Sequence, residues 1–487
     1  MLGGLQRRLC EECVHTHHRE CRAAAAAPGR VNLIGEHIDY SGYAVLPIAL
    51  DRGTAMAGCL EQDSPPHTLS LHSAHTSKKN FQPGCFVVES AAGLAHLLRD
   101  QEHSWHKYIL AGLKAIMEEL ELHPFQHASL SVFVDGNLPV AAGLSSSASL
   151  ICASMLLFLQ LSKKSIAPER IAELAANAER FIGVEVGGMD QAICILAQEG
   201  HACRIEFNPL TANPVPLPNP EDFVFVVANS LVTAEKYVSA DACYNCRVAE
   251  VRLASLVLAH KLGVLPTLPA TPLTLSVVQN GCGLSMKDML DQVQKFLPLD
   301  PIDLTWVAEE TSLSKDEISS WLLCKSDGSP LCPPSVQHFF IRARAQHVYE
   351  EAMRVNRFSD LCAEAFGKEP SRVDKNSTAV ALGALMNESH ASCRELFACS
   401  CPELDTLTQI ARENGALGSR LTGAGWGGCT VSLVPAELVD SFIETVGNLY
   451  YQEFLGLSWS KEELSECIFA SGASRGASAL LVSPGST

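Results

Sequence analysis

Basic charge is in short supply in this sequence: 36 Lys and Arg stand against 54 Asp and Glu, for a formal net charge of -18. Nucleic-acid binding is driven by basic side chains that neutralise phosphates, so that class of partner is excluded and any anion must be held by a local device. Long apolar runs are missing too. The longest, Ile151 to Leu161 with one Gln inside, is well short of the roughly 20 residues a membrane-spanning helix needs. Residues 1–22 hold no apolar core of the kind a secretion signal requires. Absent as well is the lysine-bearing phosphate loop Gly-x4-Gly-Lys-Ser/Thr. The 19 cysteines are scattered, many inside apolar segments, which suits reduced thiols in the cytosol better than a disulfide framework. Between Cys10 and Cys21 a CxxC pair lies near His15, His17 and His18, but all of these crowd together without the spaced second pair of a structural zinc site. Residues 1–27 therefore read as a solvated lead-in.

What is present begins with length: 487 residues, 47% of them hydrophobic, support two to three domains with proper cores. The stretch Asp135 to Leu161 organises the rest. Upstream of it, Leu130, Val132 and Val134 alternate with Ser129, Ser131 and Phe133, the period of a strand with one buried face. From Ala148 onward the residues are apolar nearly all round, as in a helix deep in a core. Between strand and helix lie Gly143, Leu144, Ser145, Ser146, Ser147 and Ala148. Free amides at a helix start, together with the positive end of the helix dipole, favour a phosphate there. Serines also cap helices without binding anything, so the loop needs company to be read as a polyphosphate cradle.

Company comes from Pro28 to Tyr43, where Glu36, His37 and Asp39 cluster just before the turn-prone Ser41-Gly42. Buried acceptors in such a group can select hydroxyls of defined stereochemistry, which suits a neutral polyol. APGRVNLIGEHIDYSGYAVLP closely resembles the signature of galactokinases, members of the GHMP small-molecule kinases, and GLSSSASL resembles that superfamily's phosphate loop. The resemblance implies a two-lobed α+β fold with the active site in the cleft between lobes, and transfer of the γ-phosphoryl of ATP to the anomeric hydroxyl of galactose. By the same resemblance Arg30 stabilises charge at the transferring phosphoryl group, and Glu36, His37 and Asp39 bind the sugar. Asp190 becomes the catalytic aspartate, eleven residues after Glu179, which with Ser147 would hold Mg²⁺. Hard oxygen ligands of this kind suit that ion. Resemblance also nominates Trp105 and Lys236 for the nucleotide and Tyr244 for the sugar, although a Trp is as readily a core residue and a Lys a solvated one.

The remaining pattern is structural. Asp51 to Gln101 reads as short strands and loops, Trp105 to Leu120 as an amphipathic helix, and Pro168 to Ile182 as a helix opened by its proline. The Pro-rich Thr211 to Asp222 reads as a connector between an N-terminal lobe, residues 28–212, and a C-terminal lobe, residues 220–487, with an insertion at about 262–334. Ser335 to Arg357 reads as a long helix resembling the family's RAxHVxxE segment, and Leu382 to Leu407 as further helix. Ser419 to Pro435 carries Gly423, Gly425 and Gly428, but the strand-like residues after them disfavour a dinucleotide-binding turn. A Gly-rich loop bracing the phosphate loop fits better. The expectation is a cytosolic monomer acting on galactose and ATP. Its rivals are a kinase for N-acetylgalactosamine and a sensor that binds sugar and ATP without catalysis.

Overall fold

The computed structural model describes residues 2–15, 20–61, 65–75, 81–100, 104–125, 128–139, 142–183, 187–232, 243–264, 273–325, 328–367 and 374–482. Strands β1 (Cys21–Asn32), β2 (Pro47–Glu61), β3 (Thr68–Ser73), β4 (Gly84–Val87) and β5 (Ser129–Gly136) form one sheet with β12 (Ser478–Leu481), in the order β12-β1-β2-β5-β3-β4. Five consecutive alanines in β1 prefer helix by intrinsic propensity. Pairing on both edges, with β2 and β12, overrides that preference. Ala23, Ala25 and Ala27 face helices α3 (Trp105–Leu120) and α4 (Ser146–Leu161), while Ala24 and Ala26 face α1 (Leu2–His15). Small side chains let helices approach this strand from both sides.

Helix α1 corrects the expectation of a solvated lead-in. Its Leu5, Leu9, Cys10 and Cys13 are buried against Ala55, Ala57 and Phe133. The cysteines serve as apolar positions on a helical stripe, and Cys21 Sγ lies 3.3 Å from Cys10 Sγ. The same helix explains why β5 is buried on both faces through Val134 instead of on one. Between Asp51 and Gln101 the expected short strands are present as β3 and β4, together with most of the long β2 and a helix outside that expectation, α2 (Ala91–Asp100).

Helix α4 begins where the sequence places it and is buried along most of its length. Helix α5 (Pro168–Phe181) has Pro at its first turn, and α6 (Met189–Leu196) follows. The first half of the expected connector is a strand: β7 (Thr211–Pro216) pairs antiparallel with β6 (His201–Glu206). β6 also bonds Val45 through Ile205 on its other side, but β7 has one paired edge, so Pro214 and Pro216 can sit where no amide is required.

The second sheet is antiparallel, with β8 (Phe223–Asn229), β9 (Gly418–Thr422), β10 (Cys429–Pro435) and β11 (Ile468–Ser471) in the order β11-β8-β10-β9. The insertion holds the short helices Leu275–Cys282, Met286–Phe296, Leu304–Thr311 and Lys315–Leu322, as read from its polar breaks. The long helix runs Ile341–Phe366, beginning later than Ser335 and ending beyond Arg357, and the expected helix over 382–407 divides into Lys375–Glu395 and Pro402–Glu413.

The lobes are not separate bodies in packing. One hydrophobic cluster joins Ile34, Leu46, Leu144 and Ile193 to Val227, Leu253, Phe358 and Leu421. The C-terminal boundary is also corrected, because β12 returns to the first sheet and pairs with β1 from Ala23 to Ala26.

Candidate active site

The start of α4 has the backbone geometry expected of an anion cradle. Gly143 (φ 72°) and Ser145 (φ 61°) both take left-handed backbone, which turns the chain from the loop into the helix. The first intrahelical bond is Ser149 N to Ser145 O at 3.0 Å, so the amides of residues 146–148 precede it. Ser145 occupies the capping position, yet its side chain makes no cap bond. Its hydroxyl instead donates to Asp190 Oδ2 at 2.5 Å. The helix start therefore keeps its donors and dipole for an outside anion.

Asp190, near the start of α6, is the meeting point. Arg30 Nε donates to its Oδ1 and Arg30 Nη2 to its Oδ2, each at 2.9 Å, a bidentate fork between buried partners. Arg30 also donates to the Gly143 carbonyl at 2.5 Å, and its own amide to the Leu144 carbonyl at 3.1 Å. Strand β1, the phosphate loop and α6 are thus joined at one guanidinium. Burial pulls Arg30 down, but Asp190 and Glu36 hold it protonated.

Ser147 and Glu179, the expected Mg²⁺ ligands, are brought together: Ser147 Oγ donates to Glu179 Oε1 at 2.7 Å, and both are buried. Gln191 Nε2 donates to the other carboxylate oxygen. A hydroxyl and a carboxylate side by side give the hard oxygen donors that Mg²⁺ takes in ones or twos, alongside phosphates and waters. The residues fit that ion. Among the described residues, no group of three or more His, Cys, Asp or Glu side chains could hold a metal without such help.

The acceptor motif comprises Glu36, His37 and Asp39. Asp39 opens a short 3-10 turn, Asp39–Ser41, and leans on Gly187, where an added Cβ would come 2.2 Å from Asp39 Oδ2. Only glycine permits that approach. Burial first, and the nearby charge of Asp190, push the Asp39 carboxyl up to about 6. Tyr244 stands at the start of the helix Asn245–Lys261, its ring 5.7 Å from that of Tyr40 and 5.4 Å from that of His37.

The expected sugar contact of His37 meets a different geometry. Its Nε2 is 2.9 Å from the Ala424 carbonyl and must donate there, so Nδ1 accepts from the Tyr40 hydroxyl at 3.0 Å. Both ring nitrogens are engaged by the protein. Burial pulls the ring down to about 3, so it stays neutral and serves as a brace between the acceptor motif and the Gly-rich loop. Glu36 is also tied: Oε1 accepts from the Gly423 amide at 3.0 Å, and Oε2 lies 2.9 Å from Arg420 Nη1. A carboxylate oxygen accepts more than one bond, so Glu36 keeps room for a hydroxyl.

The Gly-rich loop is a brace, as its sequence suggests. Gly423 (φ 87°) packs so closely on the phosphate loop that a Cβ would come 2.6 Å from the Gly143 carbonyl. Trp105 is buried in the N-lobe core, its indole N–H donating to the Gln82 carbonyl at 3.2 Å. One turn on, Tyr108 is pushed up by burial and by the charge of Glu179, so the start of α3 lies beside the Ser147 and Glu179 pair. Lys236 lies outside the described residues.

Next to Asp39, Tyr40 and Gly187 opens a cavity of about 740 Å³, walled on its far side by Trp321 and Lys325. The insertion therefore lines space beside Asp39 and Tyr40, a placement its composition did not disclose. Sequence reasoning also missed Gln191, Glu351 and Arg420. For Glu351 and Arg420 a signal existed, since Glu351 closes the RAxHVxxE segment and Arg420 stands just ahead of the Gly-rich loop.

Three family profiles match the chain: a galactokinase galactose-binding signature over residues 14–59, a GHMP kinase N-terminal domain over 107–198 and a GHMP kinase C-terminal domain over 364–452. A galactokinase of Dictyostelium discoideum is 37% identical over 88% of this chain and 84% of its own length. One from Saccharomyces cerevisiae is 33% identical over 96% and 94%. Among solved structures, Lactococcus lactis galactokinase complexed with galactose superposes with a TM-score of 0.70 at 23% identity, covering 97% of this chain and 99% of that one. The Methanococcus jannaschii mevalonate kinase does so with 0.51 at 16% identity, covering 93% and 99%.

Proposed function

The chain belongs to the galactokinase family of GHMP kinases, and on that premise we infer that it transfers the γ-phosphoryl group of ATP to the anomeric hydroxyl of galactose. The observation that carries the reading is the convergence of Arg30, Ser145 and Asp190 at the open end of α4, with Asp39 and Tyr244 on the acceptor side.

Phosphoryl transfer passes through a loose transition state, so it needs positioning and charge neutralisation more than a strong base. Asp190 is doubly bonded to Arg30 and accepts a third bond from Ser145. Its role in this reading is to orient the anomeric hydroxyl and take the proton late, once the oxygen has begun to bond to phosphorus. Arg30 turns its charge toward the equatorial oxygens of the transferring group. The amides of residues 146–148 bind the nucleotide phosphates. Ser147 and Glu179 would hold Mg²⁺, which when bound neutralises charge on those phosphates, and Gln191 keeps Glu179 in place. On the acceptor side Asp39, Glu36 and Tyr244 meet sugar hydroxyls, while His37 fixes the loop. The nineteen free thiols support a reducing cytosol. Among the described residues no helix is long and apolar enough to cross a membrane. We take the monomer as the working unit.

The test is ADP release measured in parallel with galactose, N-acetylgalactosamine and no sugar. Galactose-dependent release is expected, together with an Asp190→Asn variant that binds both substrates and turns over on the order of 10³-fold more slowly or worse. Release with N-acetylgalactosamine alone would transfer the assignment to that sugar. Binding without any release would make the chain a sensor.

A further inference from the structure

The RAxHVxxE segment is a motif without a role in the reaction as described. In the fold it lies on the helix Ile341–Phe366, and its Arg344, His347 and Glu351 all point inward. Glu351 is fully buried. Its Oε1 accepts from the backbone amides of Gly35 at 2.8 Å and Glu36 at 3.3 Å, and from the Ser389 hydroxyl at 2.6 Å. Its Oε2 accepts from Arg354 Nε at 2.8 Å. His347 Nε2 donates to the Glu36 carbonyl at 3.0 Å while its Nδ1 accepts from Ser392 at 2.8 Å.

Arg420, equally buried, closes the circuit from β9. It meets Glu36 at 2.9 Å, donates to the Asn32 carbonyl at 2.8 Å and to Ser389 at 3.1 Å, and has Glu351 at 4.0 Å. Two carboxylates, Glu36 and Glu351, thus face two guanidinium groups, Arg354 and Arg420. Burial alone would raise Glu351, yet Arg354 and Arg420 hold it near 2, ionised at every working pH.

We propose that Glu351 and Arg420 are positioning residues for the acceptor sugar: together they clamp the Gly35-Glu36 backbone and the Glu36 carboxylate in the orientation that receives it. The clamp acts on one substrate. Every bond named above ends on Asn32 at the end of β1, on the acceptor motif, on β9 or on the two helices behind it, and none on the phosphate loop. Such a pair is poor at stabilising a fold, because desolvation offsets most of its Coulomb attraction, but it fixes geometry. The proposal rests on the galactokinase reading.

The test is steady-state kinetics of the full-length Glu351→Gln protein with each substrate varied in turn, beside wild type in the same assay. The expected result is a galactose KM raised about tenfold or more, with the ATP KM within about twofold and kcat reduced less than kcat/KM for sugar. A merely structural role would lower the melting temperature and the active fraction without separating the two KM values. Parallel rises in both, or no rise in a folded protein, would overturn the proposal. Should Glu351→Gln not fold, Ser389→Ala decides. Removing that one hydroxyl, shared by Glu351 and Arg420, should raise the sugar KM severalfold at a nearly unchanged melting temperature, and an unchanged KM would refute the clamp. Sugar-dependent turnover by wild type keeps this outcome distinct from a failure of the galactokinase reading.

Discussion

Asp39 illustrates how a single side chain can be held against its own solvation. Its folded pKa of about 6 lies above the ordinary 3.8, so the fold binds its proton more tightly than the unfolded chain does. The sign follows: this carboxylate costs stability progressively as pH rises through that window, and the cost is fully present above it. On the proposed reading, that cost secures a desolvated acceptor for a sugar hydroxyl. The galactose KM should therefore be flat at neutral pH and rise as pH falls through about 6, where protonation removes the charge. Asp39→Asn should abolish that pH dependence, weaken sugar binding at all pH values and raise the melting temperature at pH 7.5. Kinetics and thermal denaturation at matched pH check all three, and a wild-type sugar KM with no inflection near 6 would show that Asp39 does not face the sugar. His37 and His347 give no competing inflection there, since burial holds both neutral, near 3 and 4. The sequence did select Glu36, His37 and Asp39 as a group. It could not divide them into a ligand and a brace, because the partner of His37 is a backbone carbonyl at residue 424.

Elements differed in how legible they were. Pro168 at the first turn of α5 and the apolar residues of α4 are local signals, and both helices begin where those signals put them. Helix α1 was missed because Cys10 and Cys13 were weighed as metal ligands, when with Leu5 and Leu9 they form the apolar stripe that covers the back of the sheet. The two views predict different stabilities. A residue in a solvated lead-in can be truncated at no cost, whereas Leu9→Ala in a buried stripe should cost about 2 to 3 kcal/mol. Chemical denaturation of the full chain measures it, and a change within about 0.5 kcal/mol would mean that α1 does not pack as described. β7 was missed for a related reason: its prolines advertise a connector, and only the presence of a single pairing edge makes them acceptable in a strand.

At the scale of the whole molecule the chain closes on itself. After β11 the backbone leaves the second sheet, bonds Ser474 N to the Ala49 carbonyl at 2.8 Å and Gly476 N to the Ala197 carbonyl at 2.9 Å, and ends in β12 on the edge of β1. A chain ending at Ala473 should lose these bonds and bare that edge, giving a lower melting temperature and more aggregation in light scattering. Equal behaviour of the two chains would make the strap incidental. The amino-acid sequence by itself determined where the phosphate loop, the acceptor motif and the Gly-rich loop lie, since each is a short run whose backbone and side-chain needs are local. Tertiary structure alone decided that Arg30 and Asp190 form one fork, that Glu36 is held by Arg420 and Glu351, and that the last strand belongs to the first sheet. Those pairings join segments far apart along the chain, and an ion pair or a strand edge carries no mark in its own neighbourhood that names its distant partner.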